Sequence, residues 1–170
     1  MVKKKLLIGF LVAIAAIAIL FFGFSSKIYP VASVNTRMVS AKTLDETYGA
    51  SFSYFSKIID PEFIREKGEE QFALEVKRAT LDTLIELALV DQKLEEYFEP
   101  EAIEQEALKR VDNTTTTEKT ADAVREIMGL TLEDFKRIIL VPEARRQVLE
   151  EEFAKAGEKY ETWVEQARRS

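Results

Sequence analysis

A run of nineteen residues without a charge, from Leu6 to Phe24, divides the chain into two unlike parts. With a rise of about 1.5 Å per residue, a helix of that length nearly matches the hydrocarbon core of a bilayer, which is about 30 Å thick. Lys3, Lys4 and Lys5 precede the run, and the positive-inside rule keeps such an N-terminus in the cytoplasm. The sequence therefore predicts a single-pass membrane protein with residues 28–170 on the extracytoplasmic side.

Two other interpretations of this run stay open. A cleaved signal peptide has a shorter apolar region and a small-x-small site. Gly23-Phe24-Ser25 is a weak version of that site, and cleavage would leave a secreted or periplasmic protein. A buried core helix is the remaining alternative, although the run is apolar on all sides. We expect a membrane anchor or signal sequence over residues 1–27 and one helical domain over residues 28–170.

The residue types that are absent exclude several kinds of site. The sequence has no Cys and no His, so it offers no disulfide, no thiolate nucleophile and no imidazole base. It contains no glycine-rich phosphate loop and no nucleophile elbow. We therefore predict no catalytic residue, no cofactor and no metal site. Residues 28–170 hold 20 basic and 30 acidic residues, a formal charge of −10, which argues against nucleic acid as a partner.

Helix caps and prolines predict an all-α domain after the membrane helix. Ser40 is a good N-cap for a first helix, and Asp60-Pro61 combines a cap with proline at the first helical position. Residues 28–35 suit one short extended segment, which Pro30 keeps at an edge, so we expect at most one short N-terminal strand. Pro100 is predicted to begin another helix, and residues 112–117 are predicted to form a loop. Gly129 is predicted to end a helix as its C′ residue and Thr131 to be the N-cap of the next, which should kink or break at Pro142.

The strongest helical signal in this part extends over residues 69–98. Between Leu81 and Val90 it is apolar nearly all round, interrupted by Asp82, Thr83 and Glu86. Such a stretch has to be covered on several sides, so we predict that it is the central helix of the core.

An aromatic stripe on the first helix is the candidate binding surface. Tyr48, Phe52 and Phe55 follow one another at spacings of four and three, which places them on one helix face. As the rim of a helical cradle they could hold apolar segments without sequence specificity. Packing in the core is the competing interpretation, since aromatic stripes at helical spacing are usually buried.

The C-terminal helix carries a second regular pattern. Apolar residues recur there at spacings of 4, 3, 4, 3 and 4: Leu149, Phe153, Ala156, Tyr160, Trp163 and Ala167. This is the seam of a helix laid along another helix. A coiled-coil oligomerisation helix and an intramolecular clasp on the first helix both fit the pattern. Gly157 inside the seam favours the clasp.

Three segments resemble the N-terminal domain of SurA-like periplasmic chaperones, which are related to PrsA-type foldases and to trigger factor. Residues 31–35, VASVN, are similar to the strand that opens the family domain, with Thr36 where the family has Gly. Residues 81–89, LDTLIELAL, resemble its central helix, and residues 129–135, GLTLEDF, resemble the turn and helix that follow. The similarity extends over about residues 30–168.

The resemblance implies a protein that holds polypeptide rather than transforming it. In two-domain relatives, prolyl isomerase activity belongs to a separate parvulin domain, for which this sequence has neither room nor a histidine. We therefore expect no enzyme activity. Relatives often pair a C-terminal strand with the opening strand. The sequence stops directly after its last helix, so we expect that strand to be absent and residues 31–35 to lack a partner.

Our leading hypothesis is a membrane-tethered, non-catalytic chaperone-like module that binds unfolded or extended segments of exported proteins. The alternative is a bitopic scaffold or assembly subunit that binds one folded partner in a membrane complex. An enzyme that works with carboxylates alone comes third. The sequence leaves the oligomeric state and the identity of the clients open.

Overall fold

The computed structural model describes residues 27–113 and 117–169 of the chain. The predicted transmembrane segment, residues 6–24, lies outside these ranges. Among the helices within them, none is both long and apolar enough to cross a bilayer. The described part is mostly helical and contains one two-stranded sheet, so the prediction of a multi-helix domain is confirmed.

The elements follow one another in a simple order. They are β1 (Pro30–Val34), β2 (Arg37–Ser40), α1 (Ala41–Ile58), α2 (Pro61–Lys67), α3 (Glu69–Leu94), α4 (Pro100–Asn113), α5 (Glu118–Met128), α6 (Leu132–Phe135), a π-helical segment (Lys136–Leu140), α7 (Val141–Ala156) and α8 (Tyr160–Ala167).

The N-terminal hairpin corrects two predictions. There are two short strands rather than at most one, and β1 has a partner, because β2 pairs with it in antiparallel register. The turn between them depends on Asn35, whose φ of 52° is left-handed. Asn adopts this region more readily than most residues. The turn therefore forms although Thr36 stands where the family has Gly.

The predicted helix starts are confirmed by their hydrogen bonds. A side-chain oxygen at each N-cap accepts a backbone N–H from the first turn: Ser40 from Thr43 (3.1 Å), Asp60 from Glu62 (2.8 Å) and Thr131 from Asp134 (3.1 Å). Gly129 ends α5 with a φ of 71°, a left-handed conformation in which Cβ-bearing residues are strained. Local chemistry thus sets these boundaries.

Two predicted boundaries move. The central helix ends at Leu94 and not at Phe98. The N–H groups of Glu96 and Tyr97 donate to carbonyls three residues back, so the chain forms a tighter turn before Pro100. The predicted loop begins later than residue 112, since α4 continues to Asn113. Residues 114–116 lie outside the described ranges.

Pro142 interrupts its helix, as predicted, and the interruption takes the form of a π-helical segment. Lacking an N–H, it cannot donate to the carbonyl four residues back. The segment before it is π-helical, and the Val141 N–H bonds to the Lys136 carbonyl five residues back. The chain continues as α7 without a loop, so residues 132–156 form one interrupted helical wall.

The predicted continuous seam at the C-terminus is wrong. Gly157 takes a left-handed φ of 73° and ends α7, and α8 starts only at Tyr160. The turn brings Phe153, Tyr160 and Trp163 together as a stacked group with ring centroids 5.4–6.4 Å apart. The C-terminal helix packs on α3 and α7 and not, as expected for the clasp, on the first helix.

Helix α3 is the axis of the domain, as predicted. α1 lies antiparallel to it, since Leu44 packs near Leu84 while Phe52 packs on Phe72. The largest buried cluster surrounds the C-terminal end of α3. Its buried members are Val90, Leu94, Ile103, Val148, Leu149, Phe153, Tyr160 and Val164.

Candidate functional site

A groove of about 440 Å³ lies between α1, α3 and the interrupted helical wall at residues 138–146. It is open to solvent, and its volume is within the range of ligand-binding clefts. Its lining residues are Thr47, Ser51, Thr80, Thr83, Glu86, Leu87, Ile138, Ile139, Pro142, Glu143 and Arg146. The hydroxyl groups come from α1 and α3, and most of the apolar side chains come from the wall.

The packing of the wall explains why the groove exists. α7 packs on α3, whereas α5 packs on α1 and leads into α6, so the chain between them crosses from one helix to the other. Ser53 donates a hydrogen bond to the Ile127 carbonyl (2.9 Å), and Lys57 donates to the Glu126 carbonyl. At the other end, Arg137 pairs with Glu46 at 3.1 Å. These bonds hold the wall beside α1.

The threonine hydroxyls of α3 present acceptors to the groove. Thr80 donates its hydroxyl proton to the Val76 carbonyl (2.8 Å), and Thr83 donates to the Ala79 carbonyl (3.0 Å). A hydroxyl that has donated its proton can still accept through its oxygen. Thr80 is buried, so on α3 it is the exposed Thr83 hydroxyl that can accept a hydrogen bond from an N–H group of an extended backbone.

The carboxylates at the groove are already paired. Glu86 accepts from the Tyr160 hydroxyl (2.8 Å) and from Arg168 (2.6 Å). Glu143 accepts from Arg146 (2.6 Å), and this hydrogen bond lowers the pKa of Glu143 so that it stays ionised. Each negative charge has a cation beside it. The groove therefore carries little net charge, so an apolar segment can bind there without carrying a charge of its own.

The predicted aromatic rim lies beside the groove and does not line it. Tyr48 and Phe52 are half-buried and stack at 5.7 Å between ring centroids, and Phe52 also stacks at 5.7 Å on the buried Phe72 of α3. The Lys77 ammonium lies 5.7 Å from the Tyr48 ring centroid. Phe55 is half-buried as well, one turn further along α1. On α1 the groove is lined instead by the neighbouring face, at Thr47 and Ser51.

Large apolar side chains are exposed at the end of the domain where α1 finishes and α3 begins. Phe55 stacks edge-to-face on Tyr54, at 5.4 Å between ring centroids. Exposed side chains at this end are Tyr54, Ile58, Phe63 and Leu74. The rim is thus continuous along α1 with an apolar end surface.

A cluster of ion pairs joins four elements on the other side of α3. Arg145 of α7 contacts Asp91 (3.2 Å) and Glu104, and Arg37 of β2 pairs with Glu95. Burial raises the pKa of Asp91, against the attraction of Arg145 and Arg37. The cluster holds three carboxylates and two guanidinium groups, and each of these five side chains has a partner of opposite charge within it. The cluster therefore ties the hairpin, α3, α4 and α7 together and offers no reactive group.

Sequence reasoning did not find the groove. The one sequence feature that pointed to the groove was the interruption of an apolar helix by Thr83 and Glu86. Both of these residues line the groove. The wall residues come from more than fifty positions further along the chain. In the described ranges, no set of three or more acidic side chains is arranged to hold a metal ion.

Comparison with known proteins agrees with the helical architecture. The profile of the SurA-like N-terminal domain matches residues 1–98, which is more than half of the chain. No curated protein and no solved structure matches the sequence. Residues 129–135 lie beyond the matched range, so their likeness to the family stays a prediction. With its opening strand, its central helix and this match, the chain belongs to the family of SurA-like N-terminal domains.

Proposed function

We propose that this chain is a membrane-tethered, chaperone-like module whose helical domain holds extended apolar segments of exported polypeptides in the groove between α1, α3 and residues 138–146. Family membership supports a chaperone-like role. The observation that carries the assignment to the groove is its lining: apolar side chains, hydroxyl acceptors and carboxylates that are already paired. Such a site binds by shape and apolar contact rather than by charge.

The tether is part of the same proposal. It is supported by the nineteen uncharged residues from Leu6 to Phe24 and by the three lysines before them. It places the domain outside the cytoplasm, where exported chains emerge unfolded. Mass spectrometry of the mature N-terminus tests it, because a protein that begins at Ser26 has lost its tether.

A substitution that fills the groove tests the binding site. Thr83 is exposed at the groove floor, and Thr83→Arg puts a long charged side chain there without removing a core contact. We expect the affinity of the full-length protein for a reduced, carboxymethylated, permanently unfolded client to fall about tenfold or more. Fluorescence anisotropy of the labelled client measures it. Gln71→Arg is the matched control, since Gln71 is exposed on the same helix away from the groove.

The control variant should bind within about twofold of the parent protein. Equal affinity of both variants and the parent would contradict the assignment to the groove. Phe55→Ala separates the groove from the predicted rim: if it weakens binding and Thr83→Arg does not, the client lies on Tyr48, Phe52 and Phe55. Crosslinking followed by purification distinguishes a chaperone from the alternative, a scaffold. A scaffold should be recovered with one stoichiometric partner, whereas a chaperone should be recovered with many.

A further inference from the structure

The hairpin of β1 and β2 is covered on one face and carries an exposed, large apolar side chain on the other. Its inner face is covered, because Ala32 and Val39 pack on Leu44 and Leu84. On the outer face Met38, which lies opposite Ser33, is 72% exposed. Apolar side chains on the second face of a surface hairpin are unusual, since one face of such a sheet is normally polar.

More exposed apolar side chains lie at the other end of the hairpin from Met38 and its turn, where the described chain begins. Ile28 is 66% exposed, and Tyr29 and Val31 are partly exposed. Val31 sits at an irregularity in the strand register, between the pairs Pro30–Ser40 and Ala32–Val39. A bulge next to a proline weakens the edge for pairing with another strand. The hairpin therefore presents apolar side chains without presenting an edge that is easy to extend.

The position of this surface in the chain indicates what covers it. The apolar run ends at Phe24, four residues before Ile28. At about 3.6 Å per residue, four residues reach at most about 14 Å. The polar layer on each side of a bilayer is about 5–8 Å thick. Ile28 is thus within reach of the interface from the end of a membrane-spanning run, and the Lys27 ammonium beside it pairs with Asp45.

We propose that the exposed apolar side chains of the hairpin and of the residues just before it, Met38, Val31 and Ile28 with Tyr29, lie in the lipid–water interface of the bilayer that holds residues 6–24. Tyrosine and aliphatic side chains favour this layer, where an apolar body and a polar end are both accommodated. The inference rests on the proposed tether. It adds that the domain does not swing freely on a linker, because a second contact fixes its orientation and holds the groove close to the membrane.

Quenching of single-site probes by lipid measures the contact. Because the sequence has no Cys, Met38→Cys introduces a unique labelling site in the full-length protein. Ile58→Cys is the matched control, an exposed apolar residue at the far end of α1. Each variant is labelled with a small environment-sensitive fluorophore and reconstituted in phosphatidylcholine–phosphatidylglycerol vesicles that contain nitroxide-labelled lipid. Alkaline extraction of the same vesicles reports the tether independently.

We expect the emission of the probe at position 38 to be blue-shifted by the less polar interface and quenched by nitroxide near the headgroup, while the probe at position 58 behaves as in water. If both probes behave as in water while the protein resists extraction, the hairpin contact is wrong and the tether stands. Equal quenching at both positions would show non-specific adsorption of the domain and would also overturn the proposal. Release of the protein by alkali would overturn the tether and the hairpin contact together.

Discussion

The two ends of α3 are packed in different ways. At the C-terminal end Val90 and Leu94 are fully buried, with α4, α7 and α8 around them. At the N-terminal end Phe72 and Val76 are also buried, but the main neighbours of this end within the described part of the chain are α1 and the short α2, and Leu74 is exposed. A helix covered on all sides contributes stability, whereas a helix covered on one side leaves apolar surface that can bind.

The largest expected effect compares one aromatic residue from each end. Phe153 is 1% exposed in the C-terminal cluster, and Phe153→Ala should lower the free energy of unfolding by about 3–5 kcal/mol. Phe52 is half-buried, and Phe52→Ala should cost only about 1–2 kcal/mol. Urea denaturation followed by circular dichroism and by the single tryptophan, Trp163, measures both. Equal losses would remove the distinction between the two ends.

The ion cluster gives the C-terminal end a pH dependence. Arg145→Met leaves Asp91 without its nearest cation, and we expect a loss of about 1–3 kcal/mol at neutral pH. Burial already raises the pKa of Asp91, so the folded protein holds this proton more tightly than the unfolded chain does. The contribution of Asp91 to stability therefore falls as pH rises through its folded pKa. Without Arg145 that pKa rises further.

The loss caused by Arg145→Met should accordingly grow with pH. Urea titrations at pH 7 and near pH 4, close to the ordinary pKa of Asp, measure the difference. Arg65→Met is the control, since the Arg65–Glu62 pair is exposed and contributes within about 0.5 kcal/mol. A loss of the same size at both pH values would mean that Asp91 is not the group left unpaired.

Local signals predicted much of this fold. Ser40, Asp60-Pro61 and Thr131 set helix starts through bonds within a few residues, so a single sequence contains the information. β2 was missed because it is short and depends on the left-handed turn at Asn35. The hairpin then pairs and packs on α3, which is a non-local consequence.

The candidate site was less accessible to sequence reasoning. The spacing of Tyr48, Phe52 and Phe55 predicts a shared face but not what lies against it. That depends on α3 and on the path of residues 129–142, which bring the wall beside α1. The prediction of a continuous C-terminal seam was wrong for a related reason. In a straight helix Phe153, Tyr160 and Trp163 would share one face, and their spacing does not show that the chain breaks at Gly157, where the turn brings the three rings together.

Two glycines give the smallest effects, and with opposite signs. Gly157 closes α7 in a left-handed conformation with a φ of 73°, and Gly157→Ala should destabilise the protein by about 1–2 kcal/mol. Gly49 lies inside α1 with no atom within 4 Å of an added Cβ, so Gly49→Ala should stabilise it by about 0.5–1 kcal/mol. Thermal unfolding of both variants beside the parent measures the signs. A stabilised Gly157→Ala would show that α7 and α8 can join as one helix, and the break that stacks Phe153 on Tyr160 would then not be a fixed part of the C-terminal end.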